Sequence, residues 1–225
     1  MSVKLKDKEK AFLQLMMRSK SLVKDQALNL CLKMELASND KELDSLIRKV
    51  NKQIKEFRFE IRKFIDEESG NVHFVFINLI DNHISRLSTL YTKAQLEYFK
   101  KVISAIVLSP CGYVDYNKAL NLTSQLVDHN VKLRVSEADE MLKHWNQEKY
   151  LATKKDQFNI CLGIRSLTEL DVYLKDHFPN NVTSCDMCKS ICIQGTNCPH
   201  LGVKLHAHCA DKYFKNFKNC TICNC

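Results

Sequence analysis

The chain has 225 residues, 45% hydrophobic and 27% charged, with only five Gly and three Pro; this is an ordinary globular mix with little flexible linker, long enough for two or three small domains. No apolar run approaches the ~20 residues that span a bilayer, and residues 1–8 are charged where a secretion signal would be apolar, so a soluble, intracellular protein without a membrane partner is expected. The net charge is +8, and residues 1–63 hold 16 Lys/Arg against 9 Asp/Glu, which suits either a solvated helical face or an acidic partner such as nucleic acid.

In chain order, residues 8–34 read as helical, with Phe12, Leu15, Met16, Leu22, Val23, Ala27, Leu28 and Cys31 at helical spacing. A third helix starts at Ser38-Asn39-Asp40, capped by Ser38 or Asn39, and Leu43, Leu46, Ile47, Val50 and Ile54 form its apolar stripe. Its opposite face carries Arg48, Lys52 and Lys55. The period then changes: Phe57, Phe59 and Ile61 alternate with Arg58, Glu60 and Arg62, a strand signal. Residues 66–71 form a turn with Gly70 suited to positive φ, and residues 72–77 form the returning strand. Three helices and a hairpin are the order of a winged helix.

The order then repeats. Thr92 caps a helix to about residue 108, a short helix covers 115–126, and Ser136 with Asp139 resembles a capping box for the next helix. Residues 150–152 and 158–161 read as a hairpin, and a closing helix from Ser166 ends before Pro179. The fold expected is mainly α with small β hairpins (α+β): two tandem winged-helix domains, 1–90 and 91–180, then a zinc module at 181–225.

Eight of the eleven cysteines fall after residue 184. Clustered cysteines in an intracellular chain read as metal binding rather than disulfides, whereas Cys31, Cys111 and Cys161 read as plain core residues. A two-residue gap lets both thiolates of a knuckle turn onto one tetrahedral zinc. In a cross-brace the first and third ligand pairs share one metal and the second and fourth share the other. Site one is therefore Cys185, Cys188, His206 and Cys209; site two is Cys198, Cys220, Cys223 and His200, with Cys192, His208 and Cys225 as spare donors. Two zinc ions per chain are expected, both structural, since four protein ligands leave no open position. Catalytic acid-base sets and phosphate-binding glycine loops are not legible, and His73, His83, His129, His144 and His177 are isolated.

RING and PHD modules share this ligand order. PHD modules usually have an aromatic where Lys218 stands; RING modules that dock a ubiquitin-conjugating enzyme have an apolar residue where Met187 stands. Thr221 and Asn224 occupy positions where such RING modules often have Pro and a basic residue.

The whole chain resembles the non-SMC element one subunit of the SMC five/six chromosome-maintenance complex. The likeness is carried by Phe59-Glu60-Ile61-Arg62-Lys63 with Ile65-Asp66-Glu67, by Tyr91-Thr92 with Glu97-Tyr98-Phe99-Lys100, and by Ser136-Glu137-Ala138. In the zinc module it is carried by the Cys185 and Cys188 knuckle, Ile193-Gln194-Gly195, the His206 and Cys209 pair and Tyr213-Phe214. The family usually has a cysteine where Leu201 stands, which leaves His200 to complete site two. The resemblance implies a nuclear, chromosome-associated role in DNA repair and recombination. It implies binding to a MAGE-domain subunit with a kleisin subunit nearby, and ubiquitin-ligase activity that depends on the MAGE partner. Met187, Ile193, Tyr213 and Phe214 would then dock the conjugating enzyme. An alternative is an interaction subunit whose zinc module only braces an interface. Arg48, Lys52, Lys55, Arg58, Arg62 and Lys63 are candidate nucleic-acid contacts.

Overall fold

The computed structural model describes residues 4–79, 90–126, 132–154, 156–198 and 202–216, with the side chains of 196–198 and 213–216 left out. Two compact units emerge: Met1–Asp66 with Asn71–Asp81, and Glu67–Gly70 with Asn82–Cys225. Among the described residues no helix is long and apolar enough to cross a membrane.

The first unit runs α1 (Asp7–Ser19), β1 (Ser21–Val23), α2 (Lys24–Lys33), α3 (Asp40–Ile54), β2 (Phe59–Ile65) and β3 (Val72–Asn78), with sheet order β1-β3-β2. The stripe on α3 is buried at all five positions, against Phe12 and Met16 of α1, Ala27 and Cys31 of α2, and Ile61 and Phe74 of the hairpin. Asn39 caps α3 by accepting from the Glu42 N–H at 3.0 Å, and Glu42 returns a carboxylate to the Ser38 N–H at 2.7 Å. This reciprocal satisfaction of free N–H groups is why the helix starts there.

The expected helical run over 8–34 is interrupted. Lys20 adopts φ 62°, and Leu22 and Val23 leave the helical face to pair with Phe74 and His73 of β3. Lys20 contributes its carbonyl to the Phe76 N–H at 2.8 Å, so the sheet outcompetes helix continuation. Phe57 also departs from expectation: it lies in a 3-10 turn (Lys55–Phe57), and left-handed Arg58 starts the strand at Phe59. The turn at 66–71 forms as read, with the Asp66 N–H on the Asn71 carbonyl at 2.9 Å and Gly70 at φ 69°.

The second unit repeats the pattern: α4 (Lys93–Leu108), β4 (Tyr113–Asp115), α5 (Tyr116–Asn121), a 3-10 turn (Leu122–Gln125), α6 (Val135–Gln147), β5 (Leu151–Thr153) and β6 (Asn159–Leu162), with sheet order β4-β6-β5. Thr92 caps α4 through Gln95. Trp145 is fully buried at its centre, its ring 4.6 Å from that of Phe99 and 5.7 Å from that of Tyr98.

Three expectations shift here. β4 precedes the short helix, whose cap is Asp115, accepting from the Asn117 and Lys118 N–H groups. Helix α6 is capped at Arg134, two residues earlier than the Ser136 box implies, and Glu137 closes its end on the Arg134 N–H at 2.8 Å. Asp139 instead accepts from the Tyr116 hydroxyl at 2.8 Å and pairs with Lys143. The closing helix is two short ones, α7 (Ile164–Glu169) and α8 (Asp171–His177), broken at Leu170. Buried side chains hold α7 in place: the Ser166 hydroxyl donates to the Tyr150 carbonyl at 2.6 Å, and Arg165 reaches Glu169, Glu148 and Tyr150. The last of the described residues form two small hairpins, β7 (Thr183–Ser184) with β8 (Ile191–Cys192) and β9 (Gly195–Cys198) with β10 (Val203–His206), followed by α9 (Ala207–Asn216).

Candidate metal centre

The hairpins and α9 build a small cluster. Between β7 and β8, the Cys185 and Cys188 knuckle is closed by the Lys189 N–H on the Cys185 carbonyl and the Cys185 N–H on the Ser190 carbonyl, both 2.8 Å. Asp186 ties the knuckle to β10: its N–H donates to the Lys204 carbonyl at 3.0 Å, and its carboxylate accepts from the Lys204 N–H at 2.7 Å. His206 ends β10 and Cys209 lies in the first turn of α9, so a two-residue gap across a strand-to-helix junction aims both side chains at the knuckle.

The ligand atoms of Cys185, Cys188, His206 and Cys209 all lie within 4.8 Å of one another. The His206 Nδ1 is 3.3 Å from the Cys188 Sγ and 3.9 Å from the Cys209 Sγ. Zinc bonds of ~2.3 Å to sulfur and ~2.0 Å to nitrogen set tetrahedral S···N edges near ~3.6 Å, so the cluster is compatible with zinc. His206 is fully buried, and its Nε2–H donates to the Ile191 carbonyl at 2.8 Å. That bond selects the tautomer whose Nδ1 lone pair faces the three sulfurs.

The electrostatics suit a cation. Burial opposes ionisation of Cys185, but the N–H groups of Cys188, His206 and Met187 outweigh it and hold the thiol below its ordinary 9.0. Burial, then the neighbouring Cys185, push Cys209 up to about 12. Three thiols this close cannot all ionise without positive charge between them. A bound zinc would supply that charge and hold the four groups as a structural brace.

Two residues beside the cluster complete its surroundings: Cys192, which the sequence marks only as a spare donor, and Glu67, to which it assigns no role at the cluster. Cys192 is fully buried, and its sulfur, a Glu67 oxygen and His206 also come within 4.8 Å of one another. Burial raises the Cys192 thiol, and the nearby Glu67 adds to the effect, which suits a neutral thiol. Glu67 is 3% exposed and burial raises its carboxyl to about 7. Nothing local in the acidic turn at 66–68 announces that environment.

Cys198 ends β9 opposite Val203. Its side chain, together with His200, Cys220, Cys223 and the side chains of Tyr213 and Phe214, lies outside the described residues. Met187 is 45% exposed at the knuckle, whereas Ile193 is only 8% exposed and turned inward. In the first unit Arg48, Lys52 and Lys55 line one groove of about 370 Å³ with Asn51, Phe59, Glu60 and Leu79. Arg62 pairs with Glu60 at 2.8 Å and Lys63 lies 3.6 Å from Asp44, so both carry acidic neighbours; Arg58 occupies the left-handed turn before β2. Of the histidines read as isolated, His144 meets the Tyr91 hydroxyl at 3.1 Å and His177 the Tyr173 carbonyl at 3.0 Å; His83 and His129 lie outside the described residues.

The sequence pattern of the family described as "Nse1 non-SMC component of SMC5-6 complex" matches residues 9–170, and that of a "RING-like domain" matches residues 185–224. The chain is similar to the "Non-structural maintenance of chromosomes element 1 homolog" of Homo sapiens, with 30% identity over 81% of this chain and 68% of that protein. It is similar to "Non-structural maintenance of chromosomes element 1" of Schizosaccharomyces pombe, with 26% identity over 98% of this chain and 91% of that protein. A chain in a solved "Nse1-Nse3-Nse4 complex" superposes with a TM-score of 0.83 at 26% identity, covering 99% of this chain and 96% of the other. With the repeated helix-and-hairpin order and the Cys/His cluster already in place, this chain belongs to the Nse1 family of non-SMC components of the SMC5-6 complex.

Proposed function

We propose that the chain is a RING-type ubiquitin-ligase subunit acting in DNA repair and recombination in the nucleus. A MAGE-domain subunit and a kleisin subunit would be its partners, the first of them required for ligase activity. The observation that carries the reading is the four-residue cluster with exposed Met187 between its first two cysteines. Such a module does no acid-base chemistry. It holds a conjugating enzyme so that a substrate lysine meets the ubiquitin thioester, and the rate comes from proximity and orientation. Cys185, Cys188, His206 and Cys209 would hold one zinc, and Cys198, His200, Cys220 and Cys223 a second. Met187, Tyr213 and Phe214 would form the docking surface.

The test is ubiquitin-chain formation by the purified complex containing the MAGE-domain partner. Met187→Asp is expected to abolish it, and unchanged chain formation by that variant would sink the assignment. Zinc stoichiometry on the same sample should return two ions per chain.

The inward position of Ile193 favours a second reading, a non-catalytic subunit whose zinc module braces an interface. A blank ligase assay across a broad panel of conjugating enzymes, with the MAGE-domain partner present, would select it. The groove lined by Arg48, Lys52 and Lys55 is a candidate for weak phosphate contact; a salt-dependent gel shift lost on replacing all three would establish it.

A further inference from the structure

Glu67 is a buried carboxylate that the proposed function leaves unused. The other buried carboxylates among the described residues, Glu9 and Glu169, each meet a cation, Lys49 and Arg165. Among the described residues Glu67 meets no cation but two backbone amides, with the Cys192 sulfur and His206 beside it. Its Oε1 accepts from the Ile193 N–H at 2.6 Å and the Gln194 N–H at 2.5 Å, 126 and 127 residues further along the chain. The same oxygen lies 3.8 Å from the His206 Nε2, while Oε2 is buried and has no hydrogen-bond partner among the described residues.

The two amides belong to the segment that begins with Ile191, whose carbonyl receives the His206 Nε2–H. The surroundings are tightly packed. A Cβ on Gly195 would stand 2.4 Å from the Cys192 sulfur, and one on Gly70, three residues after Glu67, 2.8 Å from His208. Groups that hold a metal-binding histidine through its second nitrogen set its orientation, and losing them typically costs ~10–100-fold in metal affinity.

We propose that Glu67 is a positioning residue for the Cys185, Cys188, His206 and Cys209 cluster: by accepting from Ile193 and Gln194 it fixes the Ile191 carbonyl, which in turn aims His206 Nδ1 at the three sulfurs. The proposal rests on the zinc reading of that cluster. The role is geometric, so an amide oxygen at the same place can perform it.

The test uses the full-length zinc-loaded protein and its Glu67→Ala and Glu67→Gln variants. Zinc transfer to a chromogenic chelator is followed, with Cys188→Ser marking the phase that belongs to this cluster. Cobalt-substituted samples report ligand geometry through their ligand-field absorption. Glu67→Ala should release zinc ~10–100-fold faster in that phase and shift the cobalt bands, while Glu67→Gln should restore both. Wild-type release and an unshifted spectrum in Glu67→Ala would overturn the proposal, as would a Glu67→Gln variant as leaky as Glu67→Ala. If the alanine variant does not fold, Glu67→Asp, one methylene short of both amides, takes its place in the same comparison. A wild-type protein with no Cys188-dependent phase overturns the zinc assignment itself, and the role of Glu67 with it.

Discussion

Asn51 on α3 treats Ile61 of β2 as a strand would: its Nδ2 donates to the Ile61 carbonyl at 2.8 Å, and its Oδ1 accepts from the Ile61 N–H at 2.7 Å. One side chain thus satisfies both polar groups of an edge-strand residue and docks the hairpin on the helix. Replacing Asn51 with Ala leaves a donor and an acceptor unpaired near the core. The expected cost is about 1–3 kcal/mol, read as a lowered urea midpoint. Asn51→Asp should also lose stability, because a carboxylate cannot donate to the carbonyl.

Acid should weaken the first unit through Glu9, which is 6% exposed. Burial works against its charge, but the Lys49 ammonium at 2.6 Å and the Lys6 N–H at 2.8 Å prevail and hold the carboxyl below 4.5. A carboxylate depressed by folding stabilises fully above its unfolded value and loses that contribution as pH falls through the folded one. Stability from Glu9 is therefore present above 4.5 and declines below it. Lys49→Met removes the cation and leaves burial to dominate, so the folded carboxyl rises towards or above its unfolded value: the variant should be less stable at neutral pH, and its acid-dependent decline should flatten or reverse. Thermal melts of both proteins from about pH 7 to about pH 3 check this.

Arg165 is expected to be far less replaceable than a surface arginine. Its guanidinium donates to Glu169 at 3.0 Å, to the Glu148 carboxylate at 2.8 Å and to the Tyr150 hydroxyl at 2.9 Å, and Glu169 is 3% exposed. Removing one partner of a buried ion pair costs about 3–5 kcal/mol, whereas replacing both with apolar groups is often neutral. Arg165→Met should lower the denaturation midpoint strongly, and Arg165→Met combined with Glu169→Leu should recover most of the loss. Lys at 165 should not substitute, since a single ammonium cannot reach three acceptors in a fork.

Chelation should unfold the cysteine-rich end selectively. From Cys185 to Cys225 this end has 41 residues, and its core cluster among the described residues is small: Cys185, Cys192, Leu205, Cys209 and Ala210, with Cys188 and Val203 against it. Chains near ~40 residues usually need metals or disulfides to fold, and a structural zinc contributes on the order of 10 kcal/mol. Hydrogen exchange after chelator treatment should show amides of β7–β10 and α9 losing protection while those of α1–α3 keep theirs. Cys209→Ser should give the same pattern without chelator.

Much of this protein is legible in its sequence because the signals are local and chemical. The α3 stripe needs only helical periodicity, the caps at Asn39 and Thr92 need only a side chain and the N–H three residues on, and the Cys/His spacing brings Cys185, Cys188, His206 and Cys209 together because a short knuckle has few ways to turn. The tertiary structure alone decided the rest. The three-residue strands Ser21–Val23 and Tyr113–Asp115 are too short to show a period, and they exist because β3 and β6 offer them partners. The helix break at Leu170 answers to the buried bonds of Ser166 and Arg165. Ile193, expected at the surface, turns inward because its amide is claimed by Glu67, 126 residues earlier. Spacing reports what neighbouring residues can do for each other; it is silent about a hydrogen bond whose partners meet only after the chain has folded.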